Sequence, residues 1–186
     1  AIMLGSRFIQ AGKKSMVLVG GSDSLSKFVI NGFLCLKNVD QQLCKPFDQN
    51  RVGLNLGEGS AFFFFLDSIH AKERNAIPYA RVSGYCNVNE TYHMTGSSPE
   101  GTGAILAMKG ALNNAYLNAN DIKFVHAHGT STIDNDLAES IAIKNVFGQH
   151  QLFASSKPFT GHTLAASGAI SSALSIGSMQ QGFIFP

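Results

Sequence analysis

The sequence predicts an α/β protein, and three observations carry that prediction. Short apolar runs of strand character alternate with segments whose apolar residues recur at helical spacing. Residues 60–67, SAFFFFLD, form a continuous apolar run, as expected of a strand covered on both faces. Two further runs, KFVHAH (123–128) and LFASS (152–156), each lead through a polar turn into a helical segment. The alternation implies layered sheets and helices, with the apolar strands in a central position.

Taken in order, AIMLGSRFIQAGKK reads as the later turns of a helix. Ile2, Leu4, Phe8 and Ile9 are its apolar residues, and Gly12 followed by two lysines stops it. No opening cap precedes it, and the chain has the look of a piece of something longer. SMVLVGG is a short buried strand closed by glycines, and SLSKFVINGFLCL an apolar segment, helical or irregular. LCKPFDQNRVGLNLGEG is a loop, in which an Asp48–Arg51 ion pair and close glycine backbones are expected to fix a turn. HAKERN gives a short polar helix and IPYARVSGYC a strand. From Glu100 to about Asn118, Ala104, Ile105, Met108, Ala111, Leu112 and Ala115 share one helical face. NDLAESIAIKNVFG is a further helix. A last one, rich in Ala, Ser and Gly, runs from Gly161 to about Met179, before GFIFP begins a strand.

Composition narrows the class of function. Of 186 residues 45% are hydrophobic and 14% charged, with fourteen phenylalanines, so either the core is large or the chain packs against more protein. A net charge of +2, with no basic run interleaved with aromatics, argues against nucleic acid or an anionic membrane as partner. No stretch has the length and apolarity of a membrane span, and no signal peptide is visible. Cys35, Cys44 and Cys86 form no CxxC and are odd in number, as in a cytosolic protein with reduced thiols.

The chemistry concentrates in two turns. In VHAHGTSTIDND (125–136), His126 and His128 project to one face of the strand end, because strand side chains alternate. No third residue at ligand spacing accompanies them, so no metal is expected. GTST can be a plain helix cap, since its hydroxyls can satisfy free amides. Equally, a histidine at the carboxyl end of a parallel strand faces the crevice where α/β proteins bind ligands. SSKPFTGHT (155–163) repeats the arrangement with Lys157 and His162. Two histidines converging on one site can donate hydrogen bonds to a carbonyl oxygen that becomes negative during a reaction. Lys157 can hold charge or orient them, with Glu139 as its acidic partner. The glycine spacings fit neither a phosphate loop nor a Rossmann fingerprint, and there is no G-x-S-x-G elbow.

Together, GGSDSLSKFVINGF, CKPFDQNRVGLNLGEGSAFFFFLD, YHMTGSSPEGTGAILAMKGALNNA, HAHGTSTIDNDLAE and SSKPFTGHTLAASGA resemble, in order, the β-ketoacyl-acyl-carrier-protein synthases, the elongating condensing enzymes of type II fatty acid synthesis. The resemblance covers essentially the whole chain. It implies a thiolase-like layered α/β/α/β/α fold, here incomplete: residues 1–67 would end its N-terminal half and 68–186 make up most of its C-terminal half. It implies a cytoplasmic acyltransferase performing decarboxylative Claisen condensation with malonyl-acyl-carrier protein. No cofactor is implied beyond the carrier's phosphopantetheine, and a homodimer or ketosynthase-like heterodimer is the implied assembly. By position, His128 and His162 match the pair that polarises the malonyl thioester carbonyl, Lys157 the lysine beside them, and Glu139 the acid it pairs with. Thr130 and Thr132 match the threonines that hydrogen-bond the pantetheine arm. His126 stands where Asn or a similar residue is more usual, and reads as structural. None of the three cysteines sits in the nucleophile motif, which the resemblance places just before Ala1; this stretch alone would then form no acyl-enzyme. A non-catalytic partner subunit, like a chain-length factor, is the alternative, against which the retained His128, Lys157 and His162 argue. Modular polyketide ketosynthases and degradative thiolases fit the HGTST turn less well.

Overall fold

The computed structural model describes residues 1–93 and 96–185; Met94 and Thr95 of the YHMTG motif and Pro186 of the GFIFP segment lie outside the described residues. The architecture is mixed α/β: α1 (Ile2–Gln10), β1 (Met16–Asp23), α2 (Lys27–Cys35), β2 (Gly59–Leu66), α3 (Ser68–Glu73), α4 (Thr102–Ala115), β3 (Val125–His126), α5 (Ile133–Phe147), β4 (Phe153–Ala154), α6 (Lys157–Thr160) and α7 (Ser167–Gln181). Two compact units form. The first comprises residues 1–24, 58–82 and 163–183, and the second 25–57, 83–162 and 184–185.

In the first unit β1 and β2 pair antiparallel, Met16 opposite Leu66 through Asp23 opposite Gly59. As predicted, α1 ends at the glycine: Gly12 has φ +64, and the Lys13 amide reaches back to the Phe8 carbonyl. Helix α1 lies so close to the sheet that a Cβ on Gly5 would overlap Val19. That contact covers the Val19 and Phe65 side of the pair. The opposite side is open, with Phe62 57% and Phe64 68% exposed and Leu18 also exposed. The FFFF run therefore does not mark a strand covered on both faces; in this chain it alternates as half-covered strands do.

In the second unit β3 and β4 pair in parallel, Val125 with Phe153 and His126 with Ala154. Helices α4 and α5 pack together, and Gly101, with φ +66, lets α4 start against the Ala138 carbonyl of α5. The predicted face of α4 is the covered one: Ala104, Ile105, Met108, Ala111, Leu112 and Ala115 are all half-buried, whereas Leu106 and Lys109 are exposed. The SLSKFVINGFLCL segment is helical, capped by Ser26, whose hydroxyl accepts the Val29 amide.

Three further expectations fail, the first being the strand in GFIFP, whose described residues 183–185 are irregular and join no sheet. IPYARVSGYC is not a strand: no strand lies beside it among the described residues, and side chains meet its backbone instead. Gln180 donates to the Tyr79 carbonyl, and Asn114 accepts from the Tyr85 amide. β-propensity without a neighbouring ladder does not make a strand. The helix expected from Gly161 begins at Ser167, after a 3₁₀ turn over Leu164–Ala166 whose Ala165 amide is capped by Asp23.

Candidate active site

Every candidate residue of the two turns lies in the second unit. Residue 128 follows the end of β3, where the last main-chain bond to the neighbouring segment runs from the Ala127 amide to the Ala154 carbonyl. Gly129 then turns with φ +43, and a side chain there would collide with Ser155 and Phe47. Ser131 also adopts a left-handed backbone, φ +69, and is fully buried. Its hydroxyl accepts the Lys45 amide at 2.8 Å. The strain of a non-glycine in that region is held by these bonds.

The hydroxyls do not cap α5 as the plain reading of GTST requires. Thr132 is the N-cap residue but makes no side-chain cap bond. Its hydroxyl lies 2.8 Å from that of Thr130, so the two threonines pair with each other. Carboxylates serve the turn instead. Glu139 accepts the His128 amide at 2.6 Å and the Gly129 amide at 2.8 Å. Asp136 accepts the Ser131 amide with both oxygens at 3.1 Å, and the Phe47 amide at 2.7 Å. Burial pushes Glu139 above the usual carboxylate range, and its two amide bonds act against that rise.

Lys157 is 3% exposed. Its ammonium donates to the His128 carbonyl and lies 3.4 Å from His128 Nδ1. Burial lowers its pKa, and the charges of Glu139 and Asp136 raise it. The expected Lys157–Glu139 pair is thus a coupling through space; among the described residues the carboxylate's hydrogen bonds go to the two amides. An ammonium has no lone pair to offer, so the Nδ1 facing it is the acceptor, and the neutral ring carries its proton on Nε2.

His162 is fixed from another direction. Its amide donates to the Asn55 carbonyl at 2.7 Å, its carbonyl accepts the Gly57 amide at 3.1 Å, and residues 56 and 162 form a parallel bridge. The two backbones touch because both sides are glycine: a Cβ on Gly57 would overlap the Thr160 carbonyl, and one on Gly161, at φ +66, would come within 2.8 Å of Leu56 and Gly57 main-chain atoms. Gly161→Ala is expected to destabilise the fold by on the order of 3 kcal/mol, combining left-handed strain and overlap. A urea midpoint equal to that of the unsubstituted chain contradicts this.

These two anchorings bring the His128 and His162 rings together edge-on, with centroids 5.1 Å apart and planes at 86°. His128 is open to solvent on one side, yet crowded enough that burial, then the Lys157 charge, then His162 lower its pKa to about 3. Burial and the Lys157 charge take His162 to about 4. Both rings are therefore neutral at neutral pH. Their 15N resonances are expected to keep neutral shifts from about pH 7.5 to about 5.5, and a midpoint near the ordinary 6.5 for either contradicts it. The linkage has a definite sign. Between the folded values and 6.5 the unfolded chain binds protons that the folded chain does not, so these histidines' contribution is complete above 6.5 and lost as pH falls toward 3–4.

His126 points elsewhere. Its Nε2 lies 3.1 Å from Ser156 Oγ, and its ring stands edge-on to Phe185 at 4.7 Å. Among the described residues no group of three or more His, Cys, Asp or Glu side chains could hold a metal. Arg51 does not pair with the Asp48 carboxylate. It donates to the Asp48, Thr132 and Ile133 carbonyls and lies 3.9 Å from buried Asp136, a partner whose charge in this low-dielectric setting outweighs an exposed one. Cys44 is buried, its amide bonded to Asn55 Oδ1, and burial pushes its thiol pKa up. Asp136, Ser131, Ser155 and Asn55 are the residues that sequence reasoning missed. An acidic residue in a helix's first turn was the one available signal, for Asp136.

With that geometry in view, comparison with known proteins identifies the class. Residues 1–71 match the family model of the β-ketoacyl synthase N-terminal domain, and residues 79–186 that of its C-terminal domain. The chain belongs to the β-ketoacyl synthase family. It is 33% identical over 189 residues to a 3-oxoacyl-[acyl-carrier-protein] synthase 2 of Staphylococcus aureus, covering 97% of this chain and 47% of that protein. It superposes with a TM-score of 0.95 and 31% identity on a type II polyketide ketosynthase solved with its acyl-carrier protein, covering 100% of this chain and 48% of that one. A ketosynthase in complex with its chain length factor from Xenorhabdus doucetiae gives 0.91 and 34%, covering 100% and 44%. The thiolase-like fold follows from these neighbours, and the chain spans about half the length of the relatives it matches.

Proposed function

We propose that the polypeptide to which this chain belongs condenses an acyl thioester with a malonyl thioester carried by acyl-carrier protein, releasing carbon dioxide. The observation that carries this reading is the pair of neutral imidazoles, edge-on at 5.1 Å, with a buried ammonium behind one of them. His128 presents Nε2–H, and His162 stands beside it as the second donor to the malonyl thioester oxygen. Cleavage of the bond between the malonyl carbon and its carboxylate leaves an electron pair that becomes an enolate. The negative oxygen is met by donors already in place. The enolate carbon attacks the acyl thioester carbonyl, a carbon–carbon bond forms, and the acyl-bearing thiolate leaves. Lys157 keeps the proton of His128 on the ring nitrogen away from itself, and Glu139 holds the amides of the turn.

Thr130 and Thr132, paired by their hydroxyls, are the candidates for binding the pantetheine arm. Within this stretch Cys44 is not placed to carry the acyl group, because a buried thiol of raised pKa is a poor nucleophile. The acyl-bearing cysteine is assigned by family resemblance to the polypeptide outside this stretch. The partners are acyl-carrier protein and a second ketosynthase-like subunit, as in the two solved complexes. Release of carbon dioxide from carboxyl-labelled malonyl-pantetheine by the complete polypeptide tests the reading. Label lost faster than in buffer supports it; binding without release overturns it.

A further inference from the structure

We propose that His126 is a positioning residue for the Lys157–His128 contact, acting through the Ser156 hydroxyl. The main-chain ladder between β3 and β4 stops at the bond from the Ala127 amide to the Ala154 carbonyl. Beyond it, side chains fix how the two turns face each other. Ser155 Oγ donates to the Gly129 carbonyl at 2.9 Å, and Lys157 reaches the His128 carbonyl. Between these residues stands Ser156, 4% exposed, whose hydroxyl meets His126 Nε2 at 3.1 Å. Ser156 begins α6, yet its hydroxyl makes no cap bond there. Its carbonyl closes α6 instead, accepting the Phe159 and Thr160 amides at 2.9 and 3.1 Å. The two oxygens of one residue thus tie the start of the Lys157 helix to β3 and to itself.

Packing against Phe185 and Phe124 requires only an aromatic ring, whereas the bond to Ser156 requires its nitrogen. If the link is lost, a buried hydroxyl is left without that partner and the helix start shifts to satisfy it. The residue that follows is Lys157, whose ammonium is held by geometry at the far end of a flexible stem, so a small rotation at Ser156 is amplified there.

Two substitutions in the full chain test this. His126→Phe keeps the aromatic contacts and removes Nε2 together with Nδ1, and Ser156→Ala removes the hydroxyl. The readout is the acid titration of the His128 imidazole by 15N resonance, alongside the melting temperature. His128 faces Lys157 and His162, and Lys157 is acted on by Glu139, Asp136 and Cys44; neither substitution removes any of these titratable groups. Each is expected to raise the His128 midpoint by about one pH unit as the ammonium draws away. The double variant shifts it no further than the larger single one, since both break the same link. A midpoint left in place by either substitution, whatever the melting temperature does, overturns the proposal and leaves His126 a packing residue. The proposal's catalytic meaning rests on the condensation reading. The titration needs no substrate, however, so its failure and the failure of that reading are separate results.

Discussion

His162→Ala in the complete polypeptide is expected to slow carbon dioxide release from a malonyl thioester by about 10²–10³-fold, the usual cost of one preorganised donor to a developing oxyanion. His128→Ala should match it, and the double variant should lose less than the product of the two, because both donors serve one oxygen. The reason is geometric. A ring already neutral, with its proton fixed on the substrate side, stabilises the enolate without reorganising, whereas water in the gap would have to turn first. Melting temperature serves as the control. The His128 side chain is open to solvent on one side, and the bonds that hold its turn are made by main-chain atoms, so its loss should leave the fold nearly intact. Release within threefold of the unsubstituted rate, in either variant, contradicts the assignment.

Asp136→Ala is expected to be the most damaging single change to stability, at about 3–5 kcal/mol. The carboxylate is 1% exposed and serves three segments at once. It accepts the Phe47 amide, the Ser131 amide and Asn135 Nδ2, with Arg51 Nε at 3.9 Å. Removing it takes the acceptor from the buried Ser131 amide and the part-buried Phe47 amide, and the nearby negative charge from a guanidinium that keeps only its carbonyl partners. Asp136→Asn should cost about 2 kcal/mol, since one oxygen survives but an NH₂ must face an amide donor. Urea denaturation measures both. An alanine variant as stable as the parent chain shows that these bonds are replaced by water.

The parts of the fold legible in the sequence are those whose cause is local. Gly12 ends α1 where its φ is positive, and α4 buries the residues that share a helical face. Parts that depend on a neighbour were read less well. Four phenylalanines in a row report apolarity, not what lies over them, and IPYARVSGYC carries strand character with no strand beside it among the described residues. The same division runs through the candidate site. His128 and His162 were visible because each sits in a polar turn after an apolar run. Their supports were not: Arg51 finds Asp136 rather than Asp48, and Glu139 bonds backbone amides while its charge reaches Lys157 through space. Long side chains reach partners far away in sequence, and no spacing rule records such a choice.

The two imidazoles hang from separate fixings: one from a turn tied to Glu139 and Lys157, the other from a backbone clasp between residues 55–57 and 161–162. The gap between them therefore behaves like the opening of a caliper whose jaws share a hinge, because Lys157 holds the first and its carbonyl accepts the Gly161 amide of the second. An error at either fixing reaches the gap, across which the two rings meet edge-on. Selection or design that adjusts this opening meets a glycine in each jaw where a single methyl group is already too much: Gly129 against Ser155, and Gly161 against the Gly57 backbone.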